Sequence, residues 1–341
     1  MDKSIFYTVI GVVVMAGIVS CRNDKPVPDF TPKMTDEVRL KTTPVKDQGH
    51  SSLCWAYAML ATIETEHLMK GDSVNLSPDY VARIVLTTEA RRKFLGGDNY
   101  IPTLRGTAPK LIRIIMEHGI MPYDSYNSGN ANMEALLRKA DILAQRQQDM
   151  RTLDTRMNEM LDDAIGALPQ RVYMLGAEYT SKEFALSVCM KDEYDAMTSF
   201  SSYPFGEYVT LDIPDNNTGE RFMNVSIDSL MNRITNELLS GHPVCWEGDI
   251  SEPGFSFKNG TATLPHGKPC TQEERQRQYE LRRTTDDHCM ELIGIAHDDS
   301  GRRYFIAKNS WGTGNRFGGM MYLADDYVRM KTVAIVVKSR Y

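Results

Sequence analysis

A cysteine placed at the start of a helix, six residues after a glutamine, constrains this chain more than any other stretch. The run is Gln48-Gly49-His50-Ser51-Ser52-Leu53-Cys54-Trp55-Ala56-Tyr57. Ser51 or Ser52 is positioned to cap a helix beginning near Cys54. Trp55, Ala58, Met59, Ala61 and Thr62 then recur at helical spacing, which predicts a buried face. A cysteine at a helix N-terminus feels the positive end of the macrodipole, which favours thiolate over thiol. Gln48 offers an amide that can donate to an oxyanion. That is half of an acyl-transfer site. The other half, a base and a group to orient it, is supplied by His288 and Asn309. Each adjoins a short apolar run with strand character, Leu292 to Ala296 and Tyr304 to Ala307, so neighbouring strands would aim both at one cleft. Taken singly, each residue has a plainer reading: a core cysteine, a satisfied polar histidine, a turn asparagine.

Three motifs in order carry a resemblance. They are Gln48-Gly49 separated by four residues from Cys54-Trp55-Ala56, an isolated His288 before a strand, and Asn309-Ser310-Trp311-Gly312. Together they resemble the papain-like cysteine peptidases. A helical insertion, Thr198-Ser199-Phe200, Pro214-Asp215-Asn216 and the run Trp246 to Glu252 with Thr285-Asp286-Asp287-His288 look like the bleomycin hydrolase and aminopeptidase C branch. The likeness spans Val45 to Val328. It implies an α+β, two-lobed papain-like fold, with a helical left lobe and an antiparallel right lobe. It implies catalysis on peptides through a thioester: Cys54 as nucleophile, His288 as general base and acid, Asn309 orienting the ring, and Gln48 with the Cys54 N–H as oxyanion donors. Trp311 would shield the Asn309–His288 contact, and Gly96-Gly97 would pair with the substrate backbone. Two departures stand out. Leu53 would add bulk beside the cleft. The chain stops soon after the strand Thr332 to Val337, so the branch's C-terminal arm, which anchors a substrate amine, is not expected. Of Asp286 and Asp287, one can support the loop or attract a substrate amine, with a solvated loop acid as the default.

The N-terminus reads as a targeting signal. Lys3 precedes an apolar run, Ile5 to Val19, which ends in Ile18-Val19-Ser20-Cys21. This looks like a bacterial lipobox, with residues 1–20 as signal and Cys21 lipidated; the plain alternative is a secretory signal with a chance cysteine. A polar tether over 21–40 would then join a soluble peptidase domain, residues 41–341, to a membrane at the cell envelope. Hydrophobic content of 42% and charged content of 25% suit such a soluble body, and a net charge of −6 argues against nucleic acid. Peptides and the membrane are the expected partners; no metal or organic cofactor is indicated. Cys189, Cys245, Cys270 and Cys289 show no zinc spacing and read either as buried free thiols or as including one disulfide.

Residues 130–200 read as a helical insertion. From Ala131 to Ile165 there is no Gly or Pro, and Leu136, Leu137, Ala140 and Leu143 recur at three and four, as in a helical hairpin. Ser77-Pro78 opens a further helix, Gly119 closes one over Ala108 to His118, and Thr180 caps another. His67, His118 and His297 carry no partner pattern and read as structural. Three functions fit: an active peptidase (aminopeptidase or endopeptidase), a silent papain-fold module that binds peptide or protein, and another acyl-transfer enzyme such as a transglutaminase-type or cell-wall amidase.

Overall fold

The computed structural model describes residues 33–129, 131–174, 176–265 and 270–340. The expected signal, the lipobox and Cys21 lie outside these residues. Thr35–Arg39, at the end of the expected tether, forms a strand, β1.

The centre of the molecule is a helix, α1 (Cys54–Met69). From Cys54 to Met69 only Tyr57, Leu68 and Met69 escape full burial, so this helix has no wet face. Its charged residues therefore need partners. Glu64 accepts from Thr43 Oγ1, from Lys46 Nζ and from the Leu76 N–H. Glu66 meets His242 Nδ1 at 3.0 Å, and His67 bridges Asp72 and the Val188 carbonyl, both at 2.9 Å.

Helices pack around it. Ser77 Oγ caps α2 (Pro78–Gly96). Helix α3 (Ala108–His118) ends at Gly119, at φ +89°, where a Cβ would stand 2.5 Å from the Ser181 carbonyl group. Asn132 and Asp149 cap the antiparallel pair α4 (Met133–Arg146) and α5 (Met150–Ile165). Their buried rows, Leu136, Leu137, Ala140 and Leu153, Met157, Leu161, lie against α2, so the expected hairpin is present. The remainder of 130–200 is mixed rather than helical. It holds a small hairpin of β2 (Val172–Met174) and β3 (Ala177–Tyr179), then α6 (Ser181–Val188), opened by a Thr180–Glu183 capping box. It ends in β4 (Tyr194–Thr198), a strand of the main sheet.

The other strands are β5 (Tyr208–Thr210), β6 (Arg221–Asn224), β7 (Val244–Gly248), β8 (Phe255–Ser256), β9 (Thr261–Ala262), β10 (His288–His297), β11 (Arg303–Lys308), β12 (Met320–Ala324) and β13 (Thr332–Lys338). Helices α7 (Ile227–Leu239), α8 (Gln272–Glu280) and α9 (Asp325–Lys331) lie between them in sequence. The order is β5-β6-β4-β13-β7-β10-β11-β12-β9-β8, with β1 also on β10. The sheet is antiparallel except for β4 with β6 and β9 with β12, which run parallel. Strand β10 is shared: its first half pairs with β7, its second half with β1, and β11 runs along its other edge. At Gly294 a Cβ would fall 2.2 Å from the Val38 carbonyl oxygen, so glycine lets β1 close in there.

Replacing Glu64 with alanine leaves Lys46 buried beside the core with its carboxylate partner gone. Such a break is expected to cost about 3–5 kcal/mol, read as a lower urea midpoint at unchanged slope.

Candidate active site

Helix α1 starts at Cys54 itself. Its N-cap is Leu53, which makes no side-chain cap, and the serines expected to serve are used elsewhere. Ser51 Oγ donates to the Gln48 carbonyl, while the Ser52 N–H and hydroxyl both donate to Glu134 Oε1 on α4, at 3.1 and 3.0 Å. The first amides of α1 thus lack a side-chain acceptor, which leaves the positive end of the helix to the sulfur. Leu53 is 1% exposed and packs in the core, so its bulk does not face the cleft as expected. The Cys54 thiol is held well below its ordinary range. The largest cause is a hydrogen bond from the Cys289 thiol, followed by hydrogen bonding and charge from His288, and together they outweigh burial. Burial and the neighbouring Cys54 push the Cys289 thiol well up, so it keeps its proton and acts as donor.

His288 opens β10, directly before Cys289. Its Nε2 lies 2.8 Å from Asn309 Oδ1. That oxygen also accepts from the Ser310 N–H at 2.7 Å, and the Asn309 amide nitrogen faces Met321 Sδ at 3.5 Å. An amide oxygen only accepts, so with this orientation the proton sits on Nε2, and Nδ1 is left to exchange a proton with the thiol. The Trp311 ring lies over the imidazole with centroids 4.6 Å apart, and Phe255 and Phe257 pack edge-on against Trp311. Both His288 and Asn309 are buried.

Gln48 is tied to both sides of the cleft. Its N–H donates to the Ser310 carbonyl, its Oε1 accepts from Ser310 Oγ, and its Nε2 donates to the Ser51 carbonyl at 2.6 Å. One of the two amide hydrogens on Nε2 is thereby used, and the second is free of that bond. The structure thus gathers Gln48, Cys54, His288, Asn309 and Trp311 into one place.

Gly96 and Gly97 are placed elsewhere. They are exposed at the end of α2, where Gly97 (φ +61°) closes the helix and Gly96 borders Tyr100. The segment that reaches the Cys54 helix is Leu104-Arg105-Gly106. Trp55 Nε1 donates to the Leu104 carbonyl at 2.9 Å, and a Cβ on Gly106 would stand 2.8 Å from the Trp55 ring. A lone glycine ahead of α3 is a faint signal in sequence beside the paired glycines Gly96-Gly97.

Asp286 is not a solvated acid. It is 4% exposed and accepts from the Asp215 N–H at 2.7 Å. Arg105 reaches the carboxylates of both Asp215 and Asp286. Burial, then the charge of Asp286, push the Asp215 carboxyl up to about 7, and burial also raises Asp286. Asp287 stays exposed. On the other flank of the Gln48 loop a pocket of about 270 Å³ opens between residues 46–51 and the first residues of the insertion, 131–133. Among the described residues, Cys54, Cys189, Cys245 and Cys289 carry free thiols.

Loss of the Cys289 donor should raise the pKa of Cys54. In Cys289→Ala, the pH midpoint for alkylation of Cys54 by iodoacetamide is expected to move upward from its position in the parent. An unchanged midpoint would mean that His288 and the helix terminus set it alone.

No family model matches the chain, and no curated protein matches it either. Solved structures do. PepW from Lactobacillus rhamnosis HN001 superposes with a TM-score of 0.66 at 17% identity, over 90% of this chain and 82% of that one. Xylellain, a cysteine protease from Xylella fastidiosa, gives 0.46 at 17% identity (92% and 91% covered). The bromelain protease from Ananas comosus gives 0.42 at 15% (90% and 99% covered), and these two scores are too low to bear on the argument. In fold, the chain is a papain-like α+β protein with a helical insertion.

Proposed function

We propose that this protein is a cysteine peptidase working by a Cys54–His288–Asn309 mechanism. The observation that carries the reading is the Cys54 thiol at an uncapped helix start, its ionised form favoured by Cys289 and His288, with His288 fixed by Asn309. The thiolate of Cys54 attacks a peptide carbonyl, and the Cys54 N–H with the Gln48 amide holds the oxyanion. His288 carries the proton and delivers it to the leaving amine as the C–N bond breaks, leaving a thioester on Cys54. Water then adds to the thioester, losing its proton to His288, and the acid departs as Cys54 is released. Asn309 keeps the imidazole in one tautomer and plane but, being neutral, adds no charge. Trp311 and its two phenylalanines keep water from the Asn309–His288 bond.

Within this reading an aminopeptidase C-like action would need its own recognition of the substrate amine. Lys338 pairs with Glu66 at 3.6 Å, and Ser339 and Arg340 are bonded to Glu193 and Glu237. Glu66 lies twelve residues after Cys54, about 18 Å along the helix, so the last described residues sit far from the nucleophile. We further propose that lipidation of Cys21 holds the enzyme at the cell envelope, where it acts on peptides.

The test uses the reduced full-length chain in mild detergent and fluorogenic peptides with free or acetylated amino termini. Cleavage is expected in the parent and absent in Cys54→Ala. In Gln48→Ala, kcat is expected to fall by about 10²–10³-fold. Absence of Cys54-dependent cleavage across varied peptides would overturn the reading in favour of a binding module or a non-peptide acyl substrate.

A further inference from the structure

We propose that Glu247 is a specificity-determining residue of this cleft, an acid that receives a positively charged group of the substrate beside Cys54. The proposal rests on the peptidase reading and names a substrate class for it.

Position comes first. Glu247 on β7 pairs in register with Cys289 on β10 and with Ala334 on β13. Residues directly opposite one another in a sheet share a face. Cys289 touches the Cys54 sulfur, so Glu247 stands one strand over from the nucleophile, on the same face. Its neighbours on this row, Cys289 and Ala334, are small.

Burial and charge point the same way. Glu247 is 2% exposed, and its Oε1 is buried without a hydrogen-bond partner among the described residues. Buried carboxyl oxygens are seldom left without a partner, so this one leaves room for a water, an ion or a ligand group. Around it stand Asp215, Asp286 and the Cys54 sulfur. The cations nearby are committed. Arg105 is paired with Asp215 and Asp286, and Lys110 donates to the Arg105 carbonyl and to Asn217 Oδ1. Three carboxyls thus share one paired guanidinium, and the site is short of positive charge. Burial, then the charges of Asp215 and Asp286, push the Glu247 carboxyl well up, a cost that an arriving cation would relieve. The fitting chemistry is an ammonium or guanidinium, which presents several N–H donors and no acceptor. On a peptide this is either the α-amino group or the side chain of lysine or arginine.

Paired substrates separate the two sources. One pair is acetylated and differs only in lysine against norleucine. The other carries neutral side chains and differs only in a free against an acetylated amino terminus. In the parent, kcat/KM for the cationic member of one pair is expected to exceed its neutral partner by about 30-fold, and this ratio should collapse toward unity in Glu247→Gln. Equal rates within both pairs, or a ratio unmoved by Glu247→Gln, would overturn the proposal while leaving the peptidase reading intact. A measurement on the parent alone covers a variant that does not fold: n-butylammonium should slow iodoacetamide alkylation of Cys54, and n-butanol at the same concentration should not. Protection without cleavage of any peptide would sustain the cation site and overturn the peptidase reading; no protection would count against the site.

Discussion

A carboxylate buried in the middle of α1 is the interaction on which the rest depends. Glu64 has no exposed surface, and its oxygens are shared among the Thr43 hydroxyl, the Lys46 ammonium and the Leu76 amide. These belong to three separate segments: the approach to the Gln48 loop, the Gln48 loop's own base, and the entry to α2. A helix buried on all sides gains its stability from packing, but burial alone does not fix its rotation or height. An ion placed inside it does, because every displacement would strand a charge. The height of α1 sets the height of Cys54, so the reactive atom is positioned from behind.

The complementary half is set by β10. Its register with β7 places His288 at the start of the strand, opposite Gly248, and Cys289 one step further along. Lys308, at the end of β11, donates to the Thr42 and Thr43 hydroxyls, tying the strand that leads to Asn309 to the same segment that satisfies Glu64. The loop around Gln48 then pairs with the loop after Asn309, through Gln48 N–H to Ser310 and Gly312 N–H to Lys46. The Cys54 sulfur, the His288 ring and the side-chain amides of Asn309 and Gln48 are therefore held by linked polar contacts rather than by four independent supports.

What could be read from the chain beforehand follows from how local each signal is. Gln48, Cys54 and Asn309 sit in short contiguous motifs, and His288 precedes a long apolar strand, so their order was readable. The α4–α5 hairpin was readable too, because its apolar spacing of three and four is uninterrupted. Its sequel up to residue 200 was not, since short strands such as Val172–Met174 depend on their partners. Ser51 and Ser52 looked like caps because propensity favours serine there, yet Gln48 and Glu134 claimed their hydroxyls. Asp286 looked like an exposed loop acid because nothing nearby in sequence announces Asp215 and Arg105, which come from distant segments. The parallel pairs β4–β6 and β9–β12, and β1 lying on β10, are likewise products of tertiary placement.

The grip of Glu134 on Ser52 has a mechanical consequence. A single carboxylate oxygen from the added hairpin holds both the amide and the hydroxyl of the residue two before Cys54. The hairpin packs on α2, which in turn borders α1, so it bears on the Cys54 helix through α2 and directly on the residues just before it. It is thus less a decoration on a finished scaffold than a lever whose short arm ends at the sulfur: tilt it, and the first turn of α1 must follow.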